Sequence, residues 1–121
     1  MAGFTGFITH QGKQLYLIDI AGLSPEQVIA VIPTVARDIR ARPPKSVCSL
    51  LHVKGVKLNP EMNEKLKALA AGNAPHVKGS AIVGLAPLQK VVLTMVAMFA
   101  RREFKVFDTL EQGKDYLVGL P

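Results

Sequence analysis

The chain has 121 residues, with 15 Lys and Arg against 9 Asp and Glu, a formal net charge of +6 and 49% hydrophobic residues. Disorder requires low hydrophobicity and high net charge, so this composition excludes a disordered tail and supports one compact domain over residues 1–121. The lone cysteine, Cys48, excludes an internal disulfide framework and a cysteine-based metal site.

Residues 4–10 and 14–20 are β-rich runs separated by Gln11-Gly12-Lys13, in which the glycine supplies the positive φ of a hairpin turn. The second run, Leu15-Tyr16-Leu17-Ile18-Asp19-Ile20, is almost continuously apolar, as befits a strand covered on both faces. Ser24 caps a first helix, Pro25 suits its first position and Gln27 completes a capping box. Val28, Ile32, Val35, Ala36 and Ile39 then share one stripe until Pro43-Pro44 ends it. Pro33 within that stripe removes the bond to the carbonyl of Ile29, which predicts a kink or two short helices. Residues 46–53 form a third strand. Asn59-Pro60-Glu61 opens a second helix with Met62, Leu66, Leu69 and Ala70 inward, ended by Gly72-Asn73.

Residues 80–84 form a short fourth strand, and Pro87 opens a third helix that is apolar nearly all the way round, from Leu88 to Phe99. Such a helix must be covered on every side, by core or by a partner. Residues 104–107 are a fifth strand, and Asp108-Thr109-Leu110-Glu111 reads as the capping box of a last helix ending near Val118, weakened by Gly113. The order β-β-α-β-α-β-α-β-α predicts an α/β sandwich. Single-helix crossovers give a mostly parallel five-stranded sheet, with the first strand added antiparallel at an edge.

The positive charge is explained by helix ends. Arg37, Arg40, Arg42 and Lys45 close the first helix and Arg101, Arg102 and Lys105 follow the third, where cations complement the helix dipole, so no nucleic-acid partner is expected. Phe99, Phe104 and Phe107 lie in apolar runs and read as core. The amino terminus, Met-Ala-Gly-Phe, has no basic residue ahead of an apolar run and does not read as a secretory signal. The longest apolar stretch, residues 91–100, is about half of the ~20 residues of a membrane span, so the expected location is cytoplasmic.

In such a sheet a site lies outside the carboxyl ends of the parallel strands. The loops there are Gly22-Leu23-Ser24, residues 52–59, Gly84-Leu85-Ala86 and Asp108-Thr109, each leading into a helix N-terminus, with Lys54 and Lys57 adding positive charge. Asp19 and His52, near the ends of neighbouring strands, are the candidate acid–base pair. No Ser or Cys nucleophile is fixed beside them, so His52 reads as a structural histidine and the chain as no enzyme. His10 and His76 fall in different turns without metal-ligand spacing, and Cys48 reads as a small buried hydrophobe. Phosphate-binding, dinucleotide and nucleophile-elbow motifs are absent, so no cofactor is expected.

Four segments carry a likeness: Ile8-Thr9-His10-Gln11-Gly12-Lys13, Leu23-Ser24-Pro25-Glu26-Gln27, Pro43-Pro44-Lys45-Ser46-Val47 and Phe104-Lys105-Val106-Phe107-Asp108-Thr109-Leu110-Glu111. Through them the chain resembles the small bacterial proteins of the STAS superfamily (sulfate transporter and anti-sigma factor antagonist). More narrowly it is similar to the stand-alone branch described as sporulation stage II protein AA-like, which is also grouped with the Sec14-like lipid-binding fold. The resemblance implies a phosphoacceptor in an Asp-Ser pair at the start of the helix after the third strand. Here that stretch is Lys57-Leu58-Asn59-Pro60-Glu61-Met62, which has no hydroxyl to carry the phosphate.

The resemblance also implies a docking surface at that position, which assigns partner binding to His52, Lys54, Lys57, Asn59 and Met62. The leading expectation is a non-catalytic interaction or regulatory module, a homodimer with Leu88, Val92, Met95, Val96 and Phe99 on its dimer or apolar-ligand face. The alternative is a small carrier or sensor that holds a lipid or other apolar molecule between that helix and the sheet.

Overall fold

In the computed structural model, which describes residues 3–121, strands β1 (Thr5–His10) and β2 (Lys13–Asp19) are joined by Gln11 and Gly12 alone. Both turn residues have positive φ, 51° and 78°, which makes the primed turn whose twist matches an antiparallel pair. The chain continues through α1 (Pro25–Arg40), β3 (Val47–His52), α2 (Pro60–Asn73), a 3-10 turn (Ala74–His76), β4 (Val77–Val83), α3 (Pro87–Ala100), β5 (Lys105–Phe107) and α4 (Leu110–Val118). The sheet order is β1-β2-β3-β4-β5, antiparallel between β1 and β2 and parallel elsewhere, as the alternation of elements requires.

Each crossover joins adjacent strands, so α1, α2 and α3 lie side by side on one face of the sheet, and α4 covers the other. Strand side chains alternate between the faces. Leu15, Leu50, Ala81 and Val83 meet Leu117 of α4, whereas Ile20, Val53 and Ile82 pack with Val28 and Met62 of the helical layer. Tyr16, fully buried, stands edge-on to Phe7 at 4.8 Å, and its hydroxyl donates to Asp38 Oδ2 at 2.8 Å. Burial and the Asp38 carboxylate both push its phenol well above the ordinary range. No helix among the described residues is long and apolar enough to cross a membrane.

Several local expectations are corrected. Helix α1 runs as one element through Pro33 rather than as two short helices, and that residue is exposed, where water can replace the lost bond. The α4 cap is Thr109, whose hydroxyl accepts from Gln112 N while the Gln112 side chain reaches back to Thr109 N; Asp108 and Glu111 are not the box. Strand β4 begins three residues earlier than expected, at Val77. Gly113 is buried, and a Cβ there would lie 2.8 Å from Leu50 Cδ1, so this glycine lets α4 settle onto β3.

Candidate functional site

The helical layer does not close on the sheet. Between β2, β3 and β4 and the three helices lies a cavity of about 140 Å³, walled by Ile18, Val28, Leu66, Val92, Leu93 and Val96 among other apolar side chains. Its floor is low because the registered residues at the centre of β3 and β4 are both serines. Ser49 and Ser80 are buried opposite one another, with their Oγ atoms 2.7 Å apart.

Helix α3 forms the roof and is pinned at both ends. At its start the Gln89 amide donates to the Val56 carbonyl, on the loop after β3. At its end Arg101 adopts the left-handed conformation (φ 54°, ψ 44°), which reverses the chain and carries Arg102 back under the helix. Arg102 Nη1 donates to the Ala70 carbonyl of α2 at 3.2 Å, Nη2 donates to Ser80 Oγ, and the guanidinium lies 4.6 Å above the Phe104 ring. Burial lowers its pKa to about 10. Arg102 therefore lines the cavity. The expectation that it is merely a helix-end cation is overturned.

The outer side of α3 is open. Leu88, Met95 and Met98 are 70%, 64% and 75% exposed, and Val91 and Phe99 continue the same surface, so Phe99 is not core. Of the five residues expected on one apolar face, Leu88, Met95 and Phe99 point outward, while Val92 and Val96 are half-buried and line the cavity. The stripe serves two surfaces rather than one.

At the carboxyl edge of the sheet the register places Asp19 beside His52, with His52 Nδ1 3.2 Å from Asp19 Oδ1. Asp19 also accepts from Ala21 N. Lys54 and Lys57 are exposed on the following loop. Asn59 caps α2 by accepting from Met62 N at 2.9 Å. Met62 itself is 2% exposed and packs in the core, so its side chain is not available to a docking partner. Its place one turn into the apolar stripe of α2 already favours the inside.

Cys48 is half-buried toward α4, and burial pushes its thiol up. His10 is not isolated in a turn: its Nε2 lies 3.1 Å from Asp115 Oδ1, and Glu111 completes a group whose ligand atoms fall within 4.8 Å of one another. His76 bonds the Arg42 carbonyl.

No family model and no curated protein matches this chain. Among solved structures, an uncharacterized protein of the DUF3478 family from Shewanella loihica PV-4, described as having a SpoIIAA-like fold, superposes with a TM-score of 0.75. The fold is SpoIIAA-like. The superposition covers 94% of this chain and 92% of that one at 19% identity, so what is shared is the fold. The resemblance expected from the turn and cap segments is thereby borne out for the architecture of the SpoIIAA-like chain.

Proposed function

We propose that residues 1–121 form a single STAS-like domain acting as a non-catalytic binding module, whose cavity beneath α3 takes a small apolar molecule. The observation that carries this reading is the cavity itself. Its volume, about 140 Å³, approaches that of an engineered apolar cavity of ~150 Å³ that binds benzene. Apolar surface brought out of water there contributes roughly 25 cal/mol per Å². Support for a non-catalytic role comes from the carboxyl edge, where Asp19 holds His52, no nucleophile bonds His52 among the described residues, and the loop over residues 57–62 lacks a phosphorylatable hydroxyl.

The exposed side of α3 favours a second reading, a homodimer or a protein partner seated on Leu88, Met95 and Phe99, with Lys54 and Lys57 exposed on the loop whose Val56 carbonyl Gln89 of α3 bonds. Native mass spectrometry separates the two. A discrete retained mass on the subunit is the expected result for the carrier. A clean dimer without added mass favours the interaction module, and a bare monomer that takes up neither benzene nor 1-octanol overturns the cavity reading.

A further inference from the structure

Arg102 is a charged side chain in the wall of an apolar cavity, and its partners are neutral. Ala70 contributes a carbonyl, Ser80 a hydroxyl and Phe104 a ring face. No carboxylate of the described residues lies within ion-pair distance of it, although Arg37, Lys67, Lys105 and Lys114, and the histidines His10 and His52, each stand beside an Asp or Glu. Arg102 is half-buried, and a charge drawn even partly out of water is ordinarily matched by an opposite charge, because neutral acceptors recover only part of the lost hydration. A guanidinium also has five N–H donors in a planar fork that matches a carboxylate, and only two are engaged here. The backbone points to the same corner: Arg101 adopts the left-handed conformation, uncommon for a non-glycine residue, and the reversal it makes brings Arg102 inside.

We propose that the cavity ligand is a monocarboxylate with an apolar body the size of a ring or a short acyl chain, its carboxylate on the Arg102 fork beside Ser80 and its body along Leu66, Val92 and Val96. This rests on the cavity being a ligand site and names the class of ligand it selects. The ligand supplies the negative charge that the protein withholds. Discrimination then comes from the head group, since an alcohol of the same length would bury its hydroxyl against a cation and leave the charge unmatched.

The test measures octanoate and 1-octanol binding to the full chain by calorimetry, for the unaltered protein and for Arg102→Met. Octanoate is expected to bind the unaltered protein about tenfold or more tighter than 1-octanol, and Arg102→Met to bring the two level while retaining 1-octanol. Equal binding of the two by the unaltered protein, or an octanoate affinity that Arg102→Met leaves unchanged, overturns the assignment to Arg102 while the cavity reading stands. Failure of both molecules to bind the unaltered protein overturns both readings. If Arg102→Met does not fold, [1-13C]octanoate bound to the unaltered protein decides. A carboxyl that titrates below that of free octanoate is the expected mark of a neighbouring cation, and an unshifted one overturns the proposal.

Discussion

Under α4, Leu15, Leu50, Ala81 and Val83 meet Leu117 so closely that Gly113 has no room for a Cβ, whereas across the same strands Ser49 and Ile82 face α1, α2 and α3 over a cavity of about 140 Å³. One helix settling on a sheet has a single height to satisfy, and a buried glycine lets it come down until the side chains touch. Three helices must also pack on one another. Here α2 packs on both α1 and α3, and the small residues Ser49 and Ser80 leave the floor between them low. The closed face leaves no room for a ligand, and the open face is the one on which the proposed function rests.

The difference between the faces is largest in the response to volume changes. Leu50→Ala, on the closed face, is expected to cost about 3–5 kcal/mol in denaturant unfolding, because a fully buried leucine surrounded on all sides leaves a void that cannot collapse. Val96→Phe, which adds volume to the cavity side of α3, is expected to leave stability within about 1 kcal/mol and to abolish uptake of benzene. A large loss of stability from Val96→Phe would break the comparison.

Polar groups sharpen it next. Ser80→Ala removes the acceptor of Arg102 Nη2 and the partner of Ser49 together, and is expected to cost about 1–3 kcal/mol. Ser49→Ala should cost less, since Ser80 still accepts from Arg102, and the double variant should cost less than the two losses added. Thermal unfolding of the three variants gives these values, and strict additivity would mean that the two serines and the arginine do not act as a unit.

The smallest effect concerns Cys48, on the closed face. Its folded thiol is raised by burial, with Lys78 and Lys13 pulling partly back, so the unfolded chain loses this proton first. The stability it contributes is complete below the unfolded thiol pKa of ~8.5 and is lost as pH rises through the folded value. Stability should therefore decline above about pH 8.5 more steeply in the unaltered chain than in Cys48→Ala. Iodoacetamide should label the folded protein at pH 8 more slowly than the unfolded one. Equal labelling rates would show that this thiol is open to solvent.

Most of the fold was legible because its signals are local. The Ser24 and Gln27 capping box, the Asn59 cap, Pro87 at the start of α3 and the Gln11-Gly12 turn each act within a few residues, and the alternation of strands and helices then leaves little choice of sheet order. The last cap was displaced by one residue, since Thr109 and Gln112 offer the same spacing as Asp108 and Glu111. The start of β4 at Val77-Lys78-Gly79 was hidden by a glycine and by the 3-10 turn before it.

The site was much less legible. Neighbouring strand ends brought Asp19 and His52 together as their positions suggested, but Met62 turned inward and Val92 and Val96 parted from Leu88 and Met95 across α3. Arg102 carried no mark in the sequence, being the second of two successive arginines after an apolar helix.

Periodicity, caps and turn residues in the sequence determined the elements, their order and the topology of the sheet, because those depend on interactions between residues close along the chain. Which apolar residues of α3 meet the sheet and which meet solvent, how far the helical layer stands off the strands, and whether Arg102 points out or in were decided by tertiary structure alone. Each depends on where Ala70, Ser80 and Phe104 come to lie once α2, β4 and β5 have packed, and on the left-handed turn at Arg101 that the packing holds in place.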